Sequence, residues 1–143
     1  SNALVLGSVN GVNGATATVN VGIGMTTPLT TVDMLGALSI RDDGTVTNVV
    51  ADNQLITVGN RGYIRLNSSN NLATARTITL SNGLVRGQLL IIQNSLGINI
   101  FEVDDNAATN NTIVPFPRAL GPFDTIMLLW NGTDWTELSY ADN

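Results

Sequence analysis

The residues of this chain that could do chemistry are carboxylates spaced two or three positions apart. Glu102 and Asp104 fall on one face of a predicted strand, where side chains at i and i+2 lie about 7 Å apart. Asp134 and Glu137 flank Trp135 near the end of the chain. Two carboxyl groups roughly 5–9 Å apart can act as the acid and as the base or nucleophile of glycoside hydrolysis. Glycosidase activity is therefore the enzymatic hypothesis that these residue types allow.

The composition excludes most other kinds of catalysis. The chain has no Cys and no His, and its 6 basic residues are all Arg, so it has no Lys either. Thiol, imidazole and amine catalysis are thereby excluded within the chain. The usual zinc and haem sites lack their nitrogen and sulfur ligands. We therefore expect no cofactor and a non-catalytic protein, in which the carboxylates keep the surface soluble.

Two acidic turns are the remaining candidates for a metal site. Asp42-Asp43-Gly44 and Asp104-Asp105-Asn106 carry the carboxylate and amide oxygens that Ca²⁺ prefers. Neither run follows the spacing of an EF-hand loop, and Asp, Asn and Gly are ordinary residues in turns. The sequence therefore predicts two turns at these positions and no metal site.

Charge and hydropathy narrow the range of partners. The net charge is −5, and only 12% of the residues are charged. Scattered arginines on an acidic chain do not supply the clustered positive charge that nucleic acid or an anionic membrane surface requires. No apolar run approaches the roughly 18 residues of a membrane-spanning helix. We expect no nucleic-acid partner and no membrane insertion, and without Cys no disulfide forms.

The rest of the composition is typical of a protein made of short strands and turns. Hydrophobic residues make up 43% of the chain and aromatic residues only 5%, so most apolar surface is aliphatic. The many Thr residues favour strands, and the many Asn residues tolerate turns. Alternation and turn signals together predict an all-β fold. The predicted strands cover residues 38–40, 45–50, 53–58, 63–66, 76–80, 87–94, 98–103, 112–114, 124–130 and 135–140, with an irregular stretch over 115–122.

The sequence divides into three segments. Residues 1–3, Ser-Asn-Ala, look like the scar of an expression tag. Residues 4–40 are rich in Gly and poor in bulky side chains, which predicts an extended, stalk-like arm. Residues 41–143 predict a compact antiparallel β-domain, either a sandwich or barrel-like, in which residues 98–103 pair with residues 87–94.

Two predicted strands carry apolar side chains on both faces. They contain the aliphatic runs over residues 89–92 and 126–130. Such strands are covered on both sides in folded proteins, since burial stabilises by about 25 cal/mol per Å² of apolar surface. Copies of the chain that associate would cover the second face and give the arm partners. A monomeric β-sandwich, with loops over the outer face, is the alternative.

The last two predicted strands form a hairpin with residues 131–134 as its loop. Trp130 and Trp135 face each other across this loop, either as an aromatic pair that closes the hairpin or as a platform that stacks on a sugar. In a glycan site, exposed rings stack on the sugar while Asn and Asp bind its hydroxyl groups. The candidate glycan-binding residues are Trp135, Tyr140, Asn131, Asp134 and Tyr63.

Residues 21–41 resemble a segment with the pattern VGIGTTxPxxxLDVNG, found in phage tail fibres and in fibre-like bacterial surface proteins. Met25 and Met34-Leu35 depart from that pattern. The matching residues are Val21-Gly22-Ile23-Gly24, Thr26-Thr27-Pro28, Val32-Asp33 and Gly36. The resemblance implies a stalk in which three chains associate, so the assembly that we expect is an intertwined homotrimer.

Residues 87–137 are similar to β-domains of phage tail fibres and receptor-binding proteins. The residues that carry this resemblance are Gly87-Gln88, Asn94, Asp124-Thr125, Gly132-Thr133, Trp135 and Glu137. Together the two resemblances imply a structural or receptor-binding segment of a trimeric fibre, located in a virion tail or on a bacterial cell surface. A cell-surface glycan is the ligand that the candidate aromatic and amide residues above lead us to expect. The alternatives are a polysaccharide-degrading tail spike that uses a carboxylate pair and a monomeric carbohydrate-binding module.

Overall fold

The computed structural model describes residues 19–68, 75–97, 99–104, 112–113 and 117–143. The expected tag, the start of the arm and most of the acidic turn at 104–106 lie outside these residues. The chain divides into two compact units, Ser1–Ser39 and Ile40–Asn143. All regular secondary-structure elements in the described part are β-strands, which confirms the all-β class. No helix there is long and apolar enough to cross a membrane.

The described part of the first unit is a small two-stranded parallel sheet. Strand β1 (Val21–Ile23) pairs with β2 (Val32–Met34), and the chain between them turns back near Pro28. Gly24 has a φ of 75°, and a Cβ there would lie 2.8 Å from the Leu35 carbonyl oxygen. The turn therefore requires glycine at this position. The sequence predicted an extended, stalk-like arm; residues 21–34 fold back on themselves as this small sheet, and the stalk stays a prediction.

The second unit consists of two sheets. Its strands are β3 (Val46–Asn48), β4 (Gln54–Ile56), β5 (Tyr63–Asn67), β6 (Arg76–Leu80), β7 (Leu89–Asn94), β8 (Phe101–Val103), β9 (Thr112–Ile113), β10 (Arg118–Leu120), β11 (Thr125–Trp130) and β12 (Trp135–Ala141). The six-stranded sheet has the order β3-β5-β7-β11-β12-β9, and the four-stranded sheet has the order β10-β8-β6-β4. Both sheets are open along these described strands, so the unit is a sandwich and the barrel-like alternative was wrong.

From β3 to β8 the chain winds in three coils. Successive strands alternate between the two sheets, and each strand pairs in parallel with the strand two elements earlier. Antiparallel pairing joins β7 to β11, β11 to β12 and β8 to β10. Strand β9 also pairs in parallel with β12, so five of the eight pairings described in this unit are parallel and the predicted antiparallel arrangement was wrong for most of them. The reason is that the connections cross between sheets, whereas a hairpin would return the chain within one sheet.

Three local predictions were also wrong. Residues 98–103 do not pair with β7, because the turn after Asn94 takes the chain into the other sheet, where β8 pairs with β6 and β10. Strand β10 lies inside the stretch predicted to be irregular, between two prolines. Residues 38–40 form no strand, and Leu38 is 70% exposed.

The core lies between the two sheets. Alternate residues of β5, β7 and β11 point inward, as in the row of Ile64, Ile92 and Ile126 across three strands. Their neighbours Tyr63, Ile91 and Met127 form a second row on the outer face and are half-buried. The aliphatic runs thus have two apolar faces, of which the sandwich buries one completely.

Candidate functional site

The five predicted glycan-binding residues do not form one site. Asn131, Asp134 and Trp135 lie at the β11–β12 hairpin. Tyr140 is five residues further along β12, which places it about 17 Å from Trp135 along the strand. Tyr63 lies on β5, which is separated from β12 by β7 and β11.

Trp135 belongs to the core. Its side chain is 0% exposed, and its indole N–H donates to the carbonyl oxygen of Ser81 at 2.9 Å. The ring centroid lies 5.3 Å from that of Trp130, with 52° between the planes. This is the geometry of a tilted aromatic pair, in which the indole N–H also has its partner. In this structure Trp135 has no face that a sugar ring can reach.

Asn131 shapes the hairpin loop. Its side-chain oxygen accepts hydrogen bonds from the backbone N–H groups of Thr133 and Asp134, both at 2.8 Å. Its own N–H donates to the Asp134 carbonyl oxygen at 3.0 Å. Gly132 has a φ of 107°, which favours glycine. The amide of Asn131 is therefore used within the loop, while the loop itself is exposed at Gly132 and Thr133.

Tyr140 forms a hydrogen bond with a buried carboxylate. Its hydroxyl donates to Asp124 Oδ2 at 2.6 Å, and Asp124 also accepts the N–H groups of Gly121 at 2.7 Å and Asn143 at 2.9 Å. Burial raises the pKa of Asp124, but these three bonds together outweigh it, so the pKa lies below its usual 3.8. Burial and the bond to Asp124 raise the pKa of Tyr140 to about 12.

This bond stabilises the fold in a defined pH range. Because the pKa of Tyr140 is higher in the folded state, its contribution is complete below pH 10 and is lost between about pH 10 and 12. The contribution of Asp124 to stability has the opposite pH dependence. It is present above the unfolded pKa and is lost as the pH falls through the lower folded pKa.

Glu137, one of the candidate catalytic carboxylates, forms an ion pair with an arginine. Arg118 donates from Nε and Nη2 to its two oxygens at 2.9 and 2.8 Å. The hydrogen bonds to Glu137 raise the pKa of Arg118. The guanidinium also lies 4.9 Å from the ring centroid of Tyr140, a cation–π distance. Since Arg118 is on β10 and Glu137 on β12, the pair joins β10, the edge strand of the four-stranded sheet, to β12 of the six-stranded sheet.

Tyr63 lies on the outer face of the six-stranded sheet. Its hydroxyl donates to Gln93 Oε1 at 2.5 Å. Next to it along β5, Arg65 forms an ion pair with Asp42, which also accepts a bond from the Gly44 N–H. Tyr63 is half-buried on this face.

Sequence reasoning assigned no role to two side chains at the ends of β7. Gln88 donates to the carbonyl oxygens of Gly59 and Arg61 at 2.8 and 3.1 Å, and accepts the Leu84 N–H at 2.8 Å. Gln88 thereby joins two loops at the start of the strand. The signal was present in the sequence, because an amide stood at each end of an uninterrupted aliphatic run.

Asn94 has the same role at the other end of β7. Its side chain is 0% exposed. Nδ2 donates to the carbonyl oxygens of Asn99, Leu120 and Gly121 at 2.6, 3.1 and 2.8 Å, and Oδ1 accepts the Leu96 N–H at 3.0 Å. These bonds hold the turn that carries the chain into the other sheet.

Few side chains among the described residues are arranged in a way that could form a catalytic or metal centre. No group of three or more Asp and Glu there is arranged to hold a metal ion. Asp42 and Asp43 accept bonds from the backbone of their own turn, as the turn interpretation predicted. The acidic and amide residues that the sequence resemblance highlighted are thus used for turns and for sheet edges.

The fold and these contacts define a β-sandwich domain whose polar residues hold its own loops. The family model of the phage depolymerase C-terminal beta sandwich domain matches residues 45–136, and the chain belongs to this family. Membership indicates a protein related to phage tail fibres and spikes, in agreement with the resemblance over residues 87–137. The segment over residues 21–41 lies entirely outside the matched range, and its resemblance stays a prediction. No curated protein matches the chain.

Proposed function

We propose that this chain is a non-catalytic structural and receptor-binding segment of a trimeric phage tail fibre or spike, located in the virion tail. The observation that carries the proposal is the family match over residues 45–136. It is supported by the way the sandwich uses its own polar side chains, which stabilise turns and edges. Host glycan is the receptor class that this proposal assigns.

The non-catalytic part of the proposal is supported by the carboxylates themselves. Glu137 is paired with Arg118, and Asp124 is 2% exposed and accepts bonds from three donors. A glycosidase needs one carboxyl group that donates a proton and a second that is free to act on the sugar or on water. The runner-up is a polysaccharide-degrading spike, which the depolymerase name of the family favours.

Purified protein incubated with capsular polysaccharide of the host separates these two functions. The proposal predicts binding without release of reducing ends. Reducing ends that appear with wild-type protein and disappear in a Glu102→Gln variant would establish the spike enzyme in its place. Asp134→Asn is the matched variant for the second carboxylate pair.

The trimeric part of the proposal is supported by the outer face of the six-stranded sheet. Ile91, Met127 and Leu129 are half-buried there, and Leu89 is 39% exposed. Arg65 on the same face is already paired with Asp42, so this pair adds no net charge when identical acidic chains approach. A stable interface has an apolar centre and few unpaired charges.

A charge placed on this face tests the interface. In the proposed trimer, Met127→Arg puts three unpaired cations against apolar surface and dissociates the assembly. Leu55→Arg is the matched control, because Leu55 is an exposed residue, at 54%, of β4 in the other sheet. Light scattering is expected to give the monomer mass for Met127→Arg and the wild-type mass for Leu55→Arg. Equal masses for the two variants would contradict the assigned face.

A further inference from the structure

Three loops meet at the hairpin end of the sandwich, and we call them the hairpin-end surface: residues 57–62, 81–88 and 131–134. A β-bridge joins Gly59 to Gly83, and Gln88 bonds to the first two loops. The Gly87 N–H donates to the carbonyl oxygen of Trp130, directly before the third loop, at 2.8 Å. The three loops are therefore held by the rigid core, as binding loops are in many folds.

Arg86 has a fixed position on this surface. Its Nε donates to the carbonyl oxygen of Asn131 at 2.6 Å. A Cβ on Gly132 would lie 3.1 Å from Nε and 3.4 Å from Nη2, so the guanidinium lies directly over this glycine. The loop thus provides both an acceptor and the space for the side chain, and Arg86 loses little conformational freedom when it binds a ligand.

The charge of Arg86 has no partner in the described part of the chain. The two ion pairs found there are Arg65–Asp42 and Arg118–Glu137. The terminal Nη1 and Nη2 groups of Arg86 donate to no described acceptor, and the residue is exposed. Paired N–H groups in this geometry match the two oxygens of a carboxylate.

The hairpin-end surface carries a positive net charge, whereas the net charge of the whole chain is negative. Its ionisable residues are Arg61, Arg86 and Asp134, which gives two positive charges and one negative charge, whereas the chain carries −5. Each of the three guanidinium nitrogens of Arg61 donates a hydrogen bond, to the carbonyl oxygens of Val58 and Thr57 and to the Thr47 hydroxyl. Arg86 uses only Nε in this way, so it is the arginine of this surface whose two terminal nitrogens are available to a ligand. An anionic ligand is attracted to this end and repelled by the remainder.

We propose that the hairpin-end surface binds acidic glycans, with Arg86 holding the carboxylate of a uronic acid or a similar acidic sugar. This inference rests on the proposed receptor-binding function and names its ligand class. Leu84 and Val85 are 69% and 64% exposed beside Arg86 and provide apolar contact for the sugar ring. Recognition depends on charge, because Trp135 is buried beneath this surface and cannot stack on a sugar.

An array of bacterial capsular polysaccharides, some containing uronic acid and some neutral, tests the proposal with the full chain. Wild-type protein is expected to bind uronate-containing glycans, to lose binding when their carboxyl groups are chemically reduced, and to bind more weakly at high salt. Arg86→Gln is expected to weaken binding roughly 10- to 100-fold, the range for one charge-assisted hydrogen-bonded contact. Arg86→Lys keeps the charge without the paired donors and is expected to fall between the two.

Arg76→Gln is the matched control, because it removes the same charge from β6 in the other sheet. Its binding is expected to equal that of wild type. Unfolding curves of the variants check that each substitution leaves the sandwich folded. Binding that survives carboxyl reduction or Arg86→Gln would overturn the acidic-glycan proposal while leaving receptor binding intact. Absence of binding to every polysaccharide would overturn both, and the structural role would then rest on the assembly alone.

Discussion

Replacing Asn94 tests most sharply whether its buried side-chain amide stabilises the turn after β7. It is 0% exposed and donates to three carbonyl oxygens from two different segments. In Asn94→Asp the donors are lost and a carboxylate faces those same oxygens. A neutral hydrogen bond contributes about 1 kcal/mol net, and an unsatisfied buried group costs about 1–3 kcal/mol.

We therefore expect Asn94→Asp to lower the free energy of unfolding by about 4 kcal/mol at pH 7, a large part of the 5–15 kcal/mol typical of a domain. Burial and the carbonyl oxygens raise the pKa of the new carboxyl above the unfolded value. Stability is then least affected below the unfolded pKa and falls as the pH rises through the folded pKa. The loss relative to wild type is accordingly smaller at pH 3.5 than at pH 7.

Urea unfolding followed by tryptophan fluorescence measures this difference, because Trp130 and Trp135 are both buried. Protein concentration is kept constant, since association changes apparent stability. Gln93→Glu is the matched control on the outer face of the same strand, where the carboxylate can still accept the hydrogen bond from the Tyr63 hydroxyl. Its expected change is within about 0.5 kcal/mol. A loss below about 1 kcal/mol for Asn94→Asp, or a larger loss at acid pH, would refute the role assigned to Asn94.

Two further substitutions test the aromatic residues near the hairpin and at the far end of β12. Trp135→Phe removes the hydrogen bond to Ser81 and leaves a small cavity, so the free energy of unfolding in urea is expected to fall by about 2 kcal/mol. Glycan binding on the array is expected to stay unchanged. Weaker binding by a fully folded variant would contradict the core position of Trp135. Tyr140→Phe removes the group whose pKa is raised to about 12. The fall in wild-type stability between pH 10 and 12 is then expected to be shallower in this variant, and parallel pH profiles would disprove the contribution of Tyr140.

Strand positions in the second unit were largely predictable from the sequence. The alternation of residues 76–80 and the bounded aliphatic run before Asn94 correspond to β6 and β7. Both patterns report local burial, which the order of apolar side chains determines. The pairing of strands was not predictable, because it joins residues far apart in the chain, such as Tyr63 and Ile91 in the parallel pair of β5 and β7.

The candidate site was less predictable than the fold. Periodicity could not tell whether Trp135 faces the core or solvent, and the structure places it inside. Strand β10 was missed because Pro117 and Pro122 flank it, yet pairing with β8 outweighs the local preference. No sequence pattern indicated a role for Arg86, since the position of its guanidinium depends on the absence of a side chain at Gly132, in a loop distant in sequence.

The mass of the protein in solution tests most directly whether this chain is a segment of a trimeric fibre. Light scattering at micromolar concentration is expected to give about 45 kDa, three times the 15.1 kDa of one chain. A cooperatively unfolding species of 15.1 kDa would contradict the account.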